Sequence, residues 1–102
     1  MTERKLDNLG RIVIPKSFFR ELKFSEWQDV EITIEYGKIC AKAYKEDDGI
    51  EKRPYVGIVR GLDQLHRLTI PAEYLKVLDM DKRTYYELSI KDGKIIISKK
   101  EI

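Results

Sequence analysis

The sequence predicts a mainly β fold built from two similar units, each with one short helix. Three observations support this prediction: an internal repeat, runs of alternating apolar and polar residues, and a proline directly after an aliphatic strand in each repeat. The chain has 102 residues, of which 42% are apolar. A chain of that length suits one compact core and leaves little room for a multidomain enzyme.

The repeat covers most of the chain. Residues 4–45 align with residues 60–101 without a gap, at a constant offset of 56. Thirteen of the 42 aligned pairs are identical, and they include Asp, Arg, Pro and Gly as well as aliphatic residues. Two unrelated β-rich stretches would not share that set at one offset, so duplication is the better explanation. The predicted organisation is a first unit (1–45), a polar linker (46–55) and a second unit (56–102).

Each unit has the same predicted order of elements. In the first unit, a short strand at residues 4–6 leads through a polar turn into a strand at residues 11–14, which is rich in β-branched residues. Pro15 ends that strand, and apolar residues at helical spacing after it predict one short helix. The alternating residues 30–36 and 38–44 flank a Gly turn and predict a hairpin with one buried face. The second unit repeats this order 56 residues later.

Neither unit is expected to fold alone. A helix of about eight residues is marginal by itself, and a unit of about forty residues buries too little apolar surface without a partner. The two units must therefore share a core. Since the twelve residues 45–56 could span up to about 40 Å when extended, we expect the two units to pair within one chain, with a homodimer as the alternative.

Composition and charge narrow the functional classes. The 20 basic and 18 acidic residues leave a net charge of +2, so total charge does not indicate a nucleic-acid binder and only the placement of charges can. The single cysteine, Cys40, excludes an internal disulfide, and we interpret it as a filler on a hairpin strand rather than a redox sensor. No apolar run is long enough for a signal peptide or a membrane helix. We therefore predict a cytoplasmic protein without a membrane partner.

Residues 4–15, Arg-Lys-Leu-Asp-Asn-Leu-Gly-Arg-Ile-Val-Ile-Pro, followed by Phe-Phe-Arg-Glu-Leu at 18–22, resemble the DNA-binding unit of the AbrB/MazE/SpoVT family. The family signature is a basic residue, Asp-x-x-Gly-Arg, three aliphatic residues, proline and a short helix that carries arginine. Residues 60–71 are similar in a looser form, and the two matches cover more than four-fifths of the chain. The resemblance implies a swapped-hairpin β-barrel (AbrB-like) in which two units interlace their strands. It also implies a nucleoid-associated regulator of transcription that binds double-stranded DNA.

The resemblance implies that basic residues of both units contact DNA. The family's contact positions fall on Arg4, Arg11 and Arg20 in the first unit and on Arg60, Arg67 and Lys76 in the second. Lys5 and Lys16 adjoin the first set in sequence and are further candidates for phosphate contacts, whereas the second unit has Gly61 and Ala72 at those positions. Phe19 occupies a position that is often arginine in the family, so that contact is expected to be missing. We therefore expect an asymmetric DNA-binding face with more positive charge on the first unit.

Asp7 and Asp63 are predicted to orient Arg11 and Arg67. Each aspartate precedes its arginine by four residues in both units. Arginine can clamp a phosphate or the edge of guanine with two parallel hydrogen bonds, which requires a fixed orientation. Two alternatives are a surface ion pair of little energetic value and an aspartate that only forms the turn.

Two further positions stand out in and near these turns. Gly10 is expected to adopt a positive φ, and His66, which replaces it in the second unit, tolerates that region better than most residues. Trp27 aligns with Arg83 and is interpreted as a packing or lid residue.

The leading functional hypothesis is a DNA-binding transcription regulator that needs no cofactor. The antitoxin of a toxin and antitoxin pair is an alternative, which we consider weaker because no acidic tail follows the last strand. A pure oligomerisation module is the other alternative, and it predicts no salt-dependent affinity for DNA. An enzyme is not expected: Ser17 and Ser25 lack a nucleophile context, and His66 is the only histidine, so no catalytic or metal site is predicted.

Overall fold

The computed structural model describes residues 2–45 and 57–100 and shows a mainly β protein with antiparallel sheets and two short helices. The predicted linker, residues 46–55, lies outside the described residues. The elements in chain order are β1 (Thr2–Lys5), β2 (Arg11–Val13), α1 (Lys16–Leu22), β3 (Asp29–Glu35), β4 (Lys38–Ala43), β5 (Ile58–Gly61), β6 (Arg67–Thr69), α2 (Ala72–Val77), β7 (Tyr85–Lys91) and β8 (Lys94–Lys99). The predicted mainly β class with one helix in each repeat is confirmed.

The local signals in the sequence produce the expected elements. Pro15 and Pro71 end β2 and β6 and occupy the position just before each helix, where their fixed φ and missing amide cost nothing. The β3–β4 hairpin turns at Tyr36 and Gly37, which both have positive φ (53° and 74°). A two-residue turn of that kind matches the right-handed twist of the strands that it joins. The helices have seven and six residues, so their stability comes from packing rather than from helix propensity.

The two repeats exchange their first strands. The larger sheet has the strand order β1-β7-β8-β4-β3-β5, so β1 pairs with the second repeat and β5 pairs with the first. The exchange is symmetric in register. Arg4 lies opposite Tyr86, and Arg60 lies opposite Val30, which is the counterpart of Tyr86 in the first repeat. Such an exchange places the end of each first strand next to the other repeat.

A pseudo-twofold axis passes between the repeats. In the smaller sheet, β2 pairs with β6 so that Ile12 lies opposite Leu68, and in the larger sheet Cys40 lies opposite Ile96. Each of these pairs joins residues that are equivalent in the repeat. The two units therefore face each other as the halves of a symmetric dimer would, but within one chain.

The expected closed barrel is not observed in the described part of the chain. The larger sheet ends at β1 and β5, and no ladder joins either edge strand to β2 or β6 among residues 2–45 and 57–100. The strands β2 and β6 have only three residues each, and their ladder joins them to each other as a separate sheet. Two antiparallel sheets thus enclose the core instead of one continuous ring of strands.

Both repeats contribute to a single core. Its buried side chains are Leu6, Ile12, Ile14, Phe18, Val30, Ile32, Ile39, Ala41, Leu62, Leu68, Ile70, Leu75, Met80, Tyr86, Leu88, Ile95 and Ile97. Equivalent core positions can differ in volume, since the small Val30 and Ala41 of the first repeat correspond to the large Tyr86 and Ile97 of the second. This shared core is the one that the short length of each unit predicts.

Candidate nucleic-acid interface

The turn between the first two strands has the same backbone in both repeats. Gly10 has φ 76° and His66 has φ 61°, which confirms the expected positive φ at both positions. The Gly10 amide donates to the Asp7 carbonyl at 3.1 Å, and the His66 amide donates to the Asp63 carbonyl at 2.9 Å. A Cβ at position 10 would lie 3.2 Å from Leu75 Cδ1, so glycine also allows a close approach there. We call these segments the first turn (7–11) and the second turn (63–67).

An aspartate holds the arginine across each turn. In the first turn, Arg11 Nε donates to Asp7 Oδ2 at 2.7 Å, while Asp7 Oδ1 accepts the amides of Leu9 at 2.9 Å and Arg11 at 2.8 Å. The second turn repeats these bonds, with Arg67 Nε donating to Asp63 Oδ2 at 2.6 Å. The aspartate therefore forms the turn and also fixes the guanidinium. Because the bond uses Nε, the two terminal nitrogens, which recognise phosphate or guanine, are not engaged by the aspartate.

Both aspartates are ionised at neutral pH. Desolvation alone would raise the pKa of the Asp7 carboxyl, but hydrogen bonds from the Arg11 amide, the Arg11 side chain and the Leu9 amide outweigh it and lower the pKa. The pKa of Asp63 is lowered by the same balance, with Arg67 and Leu65 as the donors. The orienting contact is therefore present over the whole physiological pH range.

The exchanged strands carry the next candidates. Arg4 on β1 is half-buried and Arg60 on β5 is exposed, and each donates from Nη1 to the carbonyl of the preceding residue. Lys5 is exposed at the end of β1, opposite Tyr85. Its counterpart Gly61 lies opposite Asp29, so the second repeat lacks a cation at this point. The expected difference in charge between the repeats is present here.

The two helices contact the turns of the opposite repeats. Phe19 of α1 packs against His66 of the second turn, with ring centroids 4.4 Å apart, and Leu75 of α2 approaches Gly10 of the first turn. Each helix thus packs on the turn of the other repeat. Exposed Lys16 and Arg20 are on the helix beside the second turn, and Lys76 is on the helix beside the first. Lys16 follows Arg11 in sequence, but it begins the helix that packs on the second turn.

Phe19 has a structural role between α1 and the second turn. Its ring packs against His66 and also against Phe24, whose ring centroid is 5.6 Å away in an edge-to-face arrangement. An aromatic side chain here joins α1 to the second turn.

Sequence reasoning missed the role of two positions beside the turns. Arg83 lines a cleft with Lys5, Asp7 and Asn8 of the first turn. Trp27, its counterpart in the repeat, lines the corresponding cleft at the second turn and is 59% exposed, so it is not a core packing residue. Only the alignment of Trp27 with Arg83 could have connected the two positions, and it does not show what they contact.

Cys40 is 5% exposed, as expected for a strand filler, and burial raises the pKa of its thiol. Among residues 2–45 and 57–100, no three His, Cys, Asp or Glu side chains come together in a way that could hold a metal ion. No helix in the same part of the chain is long and apolar enough to span a membrane.

Comparisons of the chain with protein-family models, with curated proteins and with solved structures gave no match.

Proposed function

We propose that this protein is a DNA-binding regulator of transcription with an AbrB-like swapped-hairpin fold. The observation that carries the proposal is the pair of turns, in which Asp7 holds Arg11 and Asp63 holds Arg67 with the same hydrogen bonds. Each arginine is fixed through Nε, so its terminal nitrogens are preorganised to donate two parallel bonds to phosphate or guanine. No catalytic step or cofactor is needed for this function.

The symmetry of the two turns supports duplex DNA as the partner. The pseudo-twofold axis relates Arg11 to Arg67, and proteins with twofold symmetry commonly match the twofold symmetry of the two DNA strands. The paired contacts on the exchanged strands, Arg4 and Arg60, and on the helices, Arg20 and Lys76, extend the same arrangement. These residues, with Lys5 and Lys16, form the proposed DNA-binding set.

The strand exchange supports the finer fold proposal. Pairing of β1 with β7 and of β5 with β3 is the interlacing that the family resemblance implies. We propose that one chain supplies both halves of the fold, so that the protein in solution has the mass of one chain, 12.1 kDa. A mass of two chains that persists on dilution would instead support exchange of strands between the chains of a homodimer.

Salt titration of DNA binding tests the proposed function. If about six phosphates are neutralised, the slope of log affinity against log salt should be near −5. The double variant R11A/R67A should fold normally and reduce the magnitude of this slope by about two, because two phosphate contacts are lost. A wild-type slope near zero would overturn the proposal in favour of an oligomerisation module. An antitoxin would share the DNA binding but would also bind a second protein.

A further inference from the structure

The two turns are alike, but the clefts beside them are not. The first cleft is lined by Lys5, Asp7, Asn8 and Arg83, and its volume is about 260 Å³. The second cleft is lined by Glu26, Trp27, Asp63, Gln64 and His66, and its volume is about 80 Å³. Asp7 corresponds to Asp63 and Arg83 to Trp27, so the two clefts are the same place in the two halves of the fold.

The strand exchange places Arg83 beside the first turn. The Arg83 amide donates to the Leu6 carbonyl at 2.6 Å, and the Leu6 amide donates to the Thr84 carbonyl at 2.9 Å. Arg83 is thereby fixed to the end of β1 by the backbone, although it is 76 residues away from Asp7 in the chain. Its φ of 67° is unfavourable for arginine and persists because the surrounding bonds determine it. The second repeat thus contributes a cation to the DNA-binding turn of the first.

The charges of the two clefts are opposite. Lys5 and Arg83 outnumber Asp7 in the first cleft, which gives a net charge of +1, and Asp7 is already paired with Arg11. The second cleft is lined by Glu26 and Asp63 and by no lysine or arginine, which gives a net charge of −2; Asp63 is likewise paired with Arg67, so Glu26 is the carboxylate that remains. A phosphate oxygen placed in these clefts would be attracted to the first and repelled by the second.

We propose that Arg83 is a phosphate-binding residue, which together with Lys5 holds the DNA backbone beside the fork of Arg11. The second cleft, with Trp27 and Glu26, makes no such contact. The two halves of the interface therefore hold the DNA backbone with unequal strength. This inference rests on the proposed DNA-binding function and adds to it a phosphate contact that only one half of the interface makes.

The difference between the two halves is one of degree, because the second turn keeps cations of its own. Lys16 and Arg20 are exposed on α1, which packs on the second turn through Phe19. Both half-sites are therefore held, and the first is held by the additional contact of Arg83. Loss of that contact should weaken binding without abolishing it.

Substitution of Arg83 tests the proposal in the full chain against a random-sequence duplex. R83Q should weaken binding about 3- to 10-fold at low salt and lower the magnitude of the salt slope by about one. R83K keeps the charge and should retain the slope. The matched control W27Q changes the equivalent position in the other cleft and should leave the salt slope unchanged. W27R adds a cation there and should increase the magnitude of the slope by about one.

The outcomes separate this inference from the function on which it rests. If R83Q binds with wild-type affinity and slope while R11A loses affinity, the phosphate contact of Arg83 is wrong and DNA binding stands. If the wild type shows no salt-dependent binding, the proposed function itself fails. Should R83Q unfold, R83G removes the same charge with a residue that accepts a positive φ without strain, and its slope decides.

Discussion

The region around the pseudo-twofold axis and the region around the two turns have diverged to different extents. At the axis, Ile12 faces Leu68 and Cys40 faces Ile96, so equivalent positions hold apolar side chains of similar type. Beside the turns, equivalent positions differ in charge, because Lys5 corresponds to Gly61 and Arg83 to Trp27. Burial in the shared core keeps equivalent positions apolar even where their volumes differ, whereas the exposed clefts allow changes of charge.

Duplication within one chain makes this difference possible. A homodimer with a true twofold axis presents the same residues at both ends of its interface, so any change appears twice. Two repeats in one chain can change independently while they keep a symmetric core. The common core and the unequal clefts should therefore respond differently to matched substitutions in the two repeats.

The largest expected effect is in the common core. Leu6 and Leu62 are the same residue at equivalent positions, are 0% and 2% exposed, and each follows an exchanged strand. L6A and L62A should each reduce the free energy of unfolding by about 2–5 kcal/mol, because each removes buried methyl groups and leaves a cavity. Urea denaturation measures both values, and we expect them to agree within about 1 kcal/mol.

The exposed leucines of the turns provide the control for these core variants. Leu9 and Leu65 are 67% and 57% exposed, so L9A and L65A should each change stability by less than about 0.5 kcal/mol. A loss that is several times larger for L6A than for L62A would show that the core is not symmetric in energy.

A smaller effect is expected for DNA binding by the two oriented arginines. R11A should weaken binding more than R67A, because Lys5 and Arg83 hold DNA beside Arg11, whereas at the second turn Glu26 opposes the contribution of Lys16 and Arg20. The loss for R11A should be about 1–3 kcal/mol in binding free energy, the range for a bidentate arginine contact. Fluorescence anisotropy with one duplex under one salt condition compares both variants, and equal losses would remove the proposed asymmetry.

The elements of the fold follow from short-range signals in the sequence. Pro15 and Pro71 end the strands that precede the helices, and the hairpin turns at Gly37 and Gly93 have the positive φ that glycine favours. The positive φ at His66 also follows, because the alignment places it on Gly10. Each of these features depends on neighbouring residues, so the repeat and local chemistry are sufficient to predict it.

The arrangement of charges beside the turns depends on contacts that are distant in sequence. Lys16 is close to Arg11 in the chain, but α1 packs on the second turn, so adjacency in sequence does not show which turn the helix contacts. Arg83 lies beside Asp7 because β1 pairs with the second repeat. Barrel closure was likewise not predictable from strand patterns, since β2 and β6 pair with each other instead of with the edge strands. Local sequence patterns do not show which strands the two repeats exchange, so they cannot predict these contacts.

The smallest expected effect is the pH dependence of stability, and it should be equal in the two repeats. Folding lowers the pKa of Asp7 and of Asp63, so each ionised carboxylate adds stability above the unfolded value of about 3.9 and loses it as pH falls through the lower folded value. D7N and D63N should therefore be less stable than wild type at pH 6, with a gap that narrows as the pH falls to about 3. Urea midpoints measured across this pH range give the difference in stability between each variant and the wild type. Because both carboxylates accept the same three hydrogen bonds, the gaps should match, and a gap confined to one turn would contradict the equivalence of the turns on which the comparison of their clefts depends.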